Sequence, residues 1–486
     1  MAGVLRNLSR GPGSDAPPFA SGTPAIMSRA VALFAALALS LSAHAQQVIR
    51  NPAPAPTALD QQLAKVSDTA TLLNLAMRHQ AESDWASQAA VWRRLIELRP
   101  HIGDYRYQLA AAYAQQDLKS QTYTTLLELQ AQGYGYDLAQ DKRFAPVATT
   151  PVWHHIADVL KQSTQPFGEG KVAYTLPKED LLIESLAWDP SRKALLVGSI
   201  REGAVYQVGG NGKLVPLLRA DEDNGLWAVM DLAVDAKRGV LWVASTAVPH
   251  FKGYAPEKDL GQAGVFKFDL KTGKFLKRYL SPSVLGQQFF ISTLALAGDG
   301  TVYAADGVNN AVYMVRDDQF KRVFHATTLT GIRGMTLDAG DRILYFADVE
   351  RGIFGYDLNA GQPFDVLVPE NLALAGIDGL LWWNNHLLAV QGGMSPPRVM
   401  RLTLGEDGRR FIGAQPLEAA QPALTEPTLA TLADDGTLYF IANSQKQLYD
   451  RFGLPKKRDA LQGTRIYSLQ ADFALEKAEA AQPAQP

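Results

Sequence analysis

The chain has 486 residues, with 47 Lys and Arg against 49 Asp and Glu, 47% apolar residues and no cysteine. That is enough chain for two or three domains with a sizeable core. The near-neutral balance excludes the electrostatic footprint of a nucleic-acid binder, and the missing cysteines exclude disulfides, thiol nucleophiles and thiolate metal sites.

Residues 1–26 contain Gly11-Pro12-Gly13 and Pro17-Pro18 and no core-forming pattern, and read as an over-extended start. Residues 27–45 read as a signal peptide. Arg29 supplies its positive charge, Ala30 to Leu41 an apolar stretch too short to span a bilayer, and Ala43-His44-Ala45 the small-x-small cleavage pattern. Removing residues 1–45 takes three bases and one acid, leaving 44 bases, 48 acids and a formal charge of −4. The expectation is a periplasmic or secreted protein with no membrane span and no polybasic patch for anionic lipid. Residues 46–58 form a Pro/Ala-rich linker, and residues 473–486 a low-complexity tail expected to be disordered.

Residues 59–165 carry a helical pattern that repeats every 34 residues. Leu75-Ala76 recurs as Leu109-Ala110, and Trp92 and Leu95 recur as Leu126 and Leu129. Small residues let paired helices approach while large ones fill the gap between pairs. The pattern resembles the tetratricopeptide repeat. An element around Pro151-Val152-Trp153 is expected to pack on the two units as a cap. The face of these repeats is a candidate seat for a protein or peptide partner.

From Lys171 the period changes to alternation, and turn dipeptides appear. Six units follow, beginning at Glu184, Met230, Ser292, Arg333, Asp378 and Glu426, at intervals of 46, 62, 41, 45 and 48 residues. Each reads as a strand, a tight turn, a second strand and a third, with a fourth in most. That is the pattern of propeller blades. The predicted fold is therefore an all-β six-bladed β-propeller over 171–472, preceded by an α-helical domain. The long interval holds an inserted loop, 248–263. The sixth unit lacks a fourth strand, and the orphan strand KVAYTLP (171–177) is expected to supply it, closing the ring and removing an exposed edge.

The first unit, IESLAWDPSRKALLVGSI, resembles the first blade of the senescence marker protein/gluconolactonase family of six-bladed propellers, where a glutamate binds a divalent metal. DAKRGVLWVAS followed by GVFKFDLKTGK is also similar to the yellow/royal-jelly propellers. The resemblance implies that Glu184 is the family glutamate. It also implies substitutions: Met230 stands where an asparagine contacting substrate is expected, Ser292 where a ligand asparagine is expected, and Arg333 where an aspartate ligates metal and acts as base. A guanidinium does neither. An alternative set is Glu184, Asp378 and Glu426, on neighbouring blades one, five and six, with Arg333 beside them and Asp231 one residue out of register. Oxygen ligands of that kind suit calcium or magnesium. The competing reading is that Arg333 pairs with one acid while the others cap strands or face water. His250, in the inserted loop, and Asp378 are the candidates for an acid–base role. The functional expectation is an exported propeller binding a small polar ligand at its channel mouth. The alternative is a divergent metal-dependent lactonase or esterase.

Overall fold

A computed structural model of the protein describes residues 57–282 and 286–474. The segments read as over-extended start, signal peptide and most of the linker, and nearly all of the tail, lie outside the described residues.

The helical region opens with α1 (Ala58–Leu63), capped by Thr57, which forms a reciprocal capping box with Asp60. Then come α2 (Thr69–Ala81), α3 (Trp85–Leu98), α4 (Gly103–Gln115), α5 (Lys119–Ala131) and α6 (Pro151–Gln162). The starts of α2 and α4 are 34 residues apart, as are those of α3 and α5. The repeating positions carry the core: Ala76, Leu95, Ala110, Leu126 and Leu129 are fully buried. Helix α6, with Pro151 in its first turn and Thr150 as cap, adds Trp153, Ile156 and Leu160 to the same core.

Among the described residues, twenty-four strands form six four-stranded sheets. Five are built in chain order, from β2–β5 of blade one, starting at Ile183, to β18–β21 of blade five, starting at Ile377. Their innermost strands and that of blade six touch pairwise around a closed circle. This is the expected six-bladed β-propeller. The sixth sheet runs β22 (Ala430–Leu432), β23 (Thr437–Ile441), β24 (Arg465–Gln470) and, outermost, β1 (Lys171–Thr175). β1 lies antiparallel to β24, Lys171 opposite Ser468 and Thr175 opposite Arg465. The orphan strand thus closes the ring. It gives the exposed edge of β24 a partner, as an unpaired ladder requires.

Backbone N–H groups of the innermost strands find side chains on the preceding blade. Trp382 donates to Thr336 Oγ1 (3.1 Å), Trp188 to Thr431 Oγ1 (2.9 Å) and Leu294 to Asp231 Oδ2 (2.8 Å). These bonds satisfy groups that have no strand to pair with on the axis side.

The helical region sits on the propeller at blades four and five. Arg99 Nε pairs with Glu350 (2.6 Å), Gly135 N–H donates to Ser395 O (2.9 Å), and Ala373 and Met394 join the core beneath α6. These propeller residues lie in connections at the end where the innermost strands begin. Two long second-to-third-strand loops, 247–262 in blade two and 442–464 in blade six, emerge at that same end.

Candidate functional site

In five blades the innermost strand carries a β-bulge at the same place. The pairing register slips between Ile183 and Ser185, Val229 and Asp231, Ile291 and Thr293, Ile332 and Gly334, and Ile377 and Gly379. The extra residues are Glu184, Met230, Ser292, Arg333 and Asp378. A bulge leaves its residue unpaired and re-aims the side chain. Here all five converge on one cavity, completed by Thr428, Leu429 and Lys446. In blade six Thr428 N–H donates to Ile441 O (3.0 Å) and Ile441 N–H donates to Leu429 O (3.2 Å), which puts Thr428 at the corresponding place.

The cavity volume is about 30 Å3. A water needs roughly 10–15 Å3, so the enclosed space takes one or two waters or a single polar head group.

Glu184 is nearly fully buried and has two partners. Ser444 Oγ donates to Oε1 (2.6 Å), and the Lys446 ammonium lies 3.2 Å from Oε2. Both partners come from the 442–464 loop. Asp378 and Arg333 form no ion pair or hydrogen bond among the described residues. Burial pushes the Asp378 carboxyl above the usual carboxylate range; Arg333 and Lys446 pull against that, and Glu184 adds to it. Two buried hydroxyls in the lining, Ser292 Oγ and Thr428 Oγ1, also lack a partner among the described residues.

The structure brings Glu184, Ser292, Arg333 and Asp378 to one cavity, with Met230 beside them. Glu426 stands two residues ahead of Thr428, bridged to Asn443, and its carboxylate accepts from Gln447 Nε2 (3.4 Å). It is outside the lining yet close enough that burial, with Glu184 and Asp378 adding repulsion, raises its pKa. Asp231 points between blades two and three rather than into the cavity. It accepts the N–H groups of Leu232 and Leu294 (both 2.8 Å), and burial pushes its pKa up to about 7. His250 lies outside the lining too. Its ring meets Tyr449 edge-on at 6.3 Å, its carbonyl accepts from Arg201 (2.7 Å), and burial lowers its pKa.

Among the described residues no group of three or more His, Asp or Glu is placed to hold a metal ion. Lys446 sets an ammonium against Glu184, and Arg333 sets a guanidinium near Asp378. The lining therefore has two acids and two bases, a donor set that does not fit a resident calcium or magnesium. Lys446 had no place in the blade alignment. Its signal in the sequence is the stretch between TLYFIAN and RIYSLQ, far longer than the four residues, 200–203, that join the same two strands in blade one.

No family model matches the chain, and no curated protein matches it. Among solved structures, the chain is similar to a PQQ-bound aldose sugar dehydrogenase from Streptomyces coelicolor, at 15% identity over 63% of this chain and 99% of that one, with a TM-score of 0.42. A gluconolactonase from Xanthomonas campestris matches at 15% identity over 61% and 88%, with a TM-score of 0.41. A virginiamycin B lyase from Staphylococcus aureus matches at 14% identity over 63% and 99%, with a TM-score of 0.40.

Proposed function

We propose that the protein is an exported binding propeller whose mouth receives the polar head of a small ligand. What carries this reading is the set of polar groups around one cavity that have no partner among the described residues: Arg333, Asp378, Ser292 Oγ and Thr428 Oγ1. Buried polar groups are normally bonded, and Glu184, a few ångströms away, has its partners. Arg333 offers a fork of donors to a carboxylate or carbonyl oxygen. Asp378 and the hydroxyls offer acceptors to a ligand O–H or N–H. The complementary head is a carboxylate with a hydroxyl on the adjacent carbon. Lys446 takes the cation position beside Glu184. The helical region acts as a scaffold at the rim, and its face away from the propeller is the seat of a protein partner.

Calorimetric titration with gluconate tests the reading. Saturable binding to the wild type, lost in Arg333→Ala and in Asp378→Asn, is expected; no heat with gluconate or lactate overturns it. A hydrolytic reading of the same mouth rests on Asp378, whose raised pKa in a small cavity suits proton transfer. Turnover of glucono-δ-lactone that disappears in Asp378→Asn would replace binding by catalysis.

A further inference from the structure

The 442–464 loop does a second thing besides delivering Lys446. Between Tyr449 and Pro455, which pair across an antiparallel bridge, it forms a tight hairpin. Asp450 N–H donates to Leu454 O, and Asp450 Oδ1 accepts the N–H groups of Phe452 and Leu454 (each 2.9 Å). Gly453, at the centre of the turn, has φ +76° and is buried against the 248–263 loop. A Cβ there would lie 2.3 Å from His250 Cα. The hairpin is therefore seated on a second loop and held in shape.

Its outward side chains are not what a seated turn needs. Phe452 is 60% exposed and Leu454 58% exposed, one on each side of the buried glycine. Neither has a packing reason to be apolar. Along the same stretch stand Arg451, Lys456, Lys457 and Arg458, all exposed, with Arg451 lying 4.7 Å over the Phe452 ring. These four cations outnumber the stretch's two acids, Asp450 and Asp459, on a chain whose overall formal charge is −2.

We propose that this tip is an attachment point for an anionic lipid surface. Phe452 and Leu454 enter the boundary between headgroups and acyl chains, while the four cations contact lipid phosphates. Two exposed apolar side chains on a narrow hairpin make a wedge, which a fluid interface accommodates. A protein partner would need a broad patch of roughly 800 Å2 per side. Basic residues near an anionic surface add attraction that salt removes. Whole-chain charge hides this patch, because acids elsewhere cancel it. The attachment is peripheral: among the described residues no helix is long and apolar enough to cross a membrane. The inference is independent of the ligand proposed for the mouth.

The test is co-sedimentation of the full chain with vesicles of equal parts phosphatidylglycerol and phosphatidylcholine, against vesicles of phosphatidylcholine alone. Binding to the mixed vesicles and release by about 0.5 M salt are expected. Affinity should fall about tenfold or more in Phe452→Ser/Leu454→Ser, and as much in Lys456→Glu/Lys457→Glu/Arg458→Glu. The substituted side chains are exposed, so unchanged thermal unfolding of both variants checks that they fold. No capture by the mixed vesicles overturns the proposal. So does equal capture by both vesicle types, or capture that survives both variants. Retention on polyglutamate without vesicle binding would assign the tip to an acidic protein and overturn it as well.

Discussion

Blades four and five each bring an arginine to the same end of the ring, and the two are used in opposite ways. Arg398, at the seam with the helical region, is fully enclosed. Its Nε donates to Gln391 Oε1 (2.7 Å), Nη1 to Gln132 O (3.0 Å) and Nη2 to Ala373 O (3.0 Å), and burial lowers its pKa to about 10. Among the described residues it has no carboxylate partner, yet donors on all three guanidinium nitrogens are taken up by the chain. Arg333, at the mouth, is only partly buried and has no bonded partner among the described residues. The seam is finished, whereas the mouth is left with donors and acceptors in hand. That contrast separates a side chain that holds two structural layers together from one whose donors the described residues leave unused.

The largest test of this contrast is Arg398→Met. It strands Gln391 Oε1 and the Gln132 carbonyl in a closed seam and should cost about 3 kcal/mol, read from urea unfolding. An unchanged midpoint would mean that the seam is not closed in solution.

The same seam contains His101, whose neutral Nδ1 accepts the Leu374 N–H (3.4 Å) and whose pKa burial lowers to about 4. A free histidine titrates near 6.5. The unfolded chain therefore takes up a proton that the folded chain refuses between those values, and stability falls as pH drops from 6.5 towards 4. Because the ring keeps an exposed edge, we expect about 2 kcal/mol at the lower end. His101→Gln should flatten that slope in unfolding curves taken across this range.

At the mouth the effects on stability shrink and those on binding grow. Lys446→Met leaves Glu184 with Ser444 alone and should cost about 1 kcal/mol, since the ammonium is partly exposed. It should also open the site to calcium, measured by calorimetry on chelator-treated protein. Calcium binding equally to wild type and variant would refute the role given to Lys446. Smallest of all, Arg333→Ala should shift the unfolding midpoint by under about 0.5 kcal/mol. A loss like that of Arg398→Met would show that Arg333 has hidden partners and that the contrast is false.

Much of the fold was legible because strand alternation and turn dipeptides repeat. KVAYTLP could be assigned to the last blade because the sixth unit lacks a good fourth strand of its own. The starts of five units fell on the bulge residues themselves; in four of them a polar or charged residue, Glu184, Ser292, Arg333 or Asp378, interrupts the apolar strand there. Blade six misled the alignment. Its Glu-Pro-Thr-Leu run offered Glu426 as the conspicuous carboxylate, whereas the backbone presents Thr428. Lys446 was missed for a topological reason: the blade-two loop lengthens an interval between unit starts, but no unit follows blade six to show the length of its loop. Asp231 was placed near the mouth by its neighbour in sequence. Alternation turns it the other way, to the N–H of Leu294, a partner on another blade that spacing does not reveal.

The pairing of β1 with β24 has a mechanical corollary. Lys171, where the chain enters β1, stands opposite Ser468, two residues before the chain leaves β24 at Gln470. Tension drawn between the two ends of the propeller would therefore load one corner of that ladder and peel it residue by residue, instead of straining all its bonds at once. Under such a pull the ring would part at this seam before any blade lost its own three sequential strands.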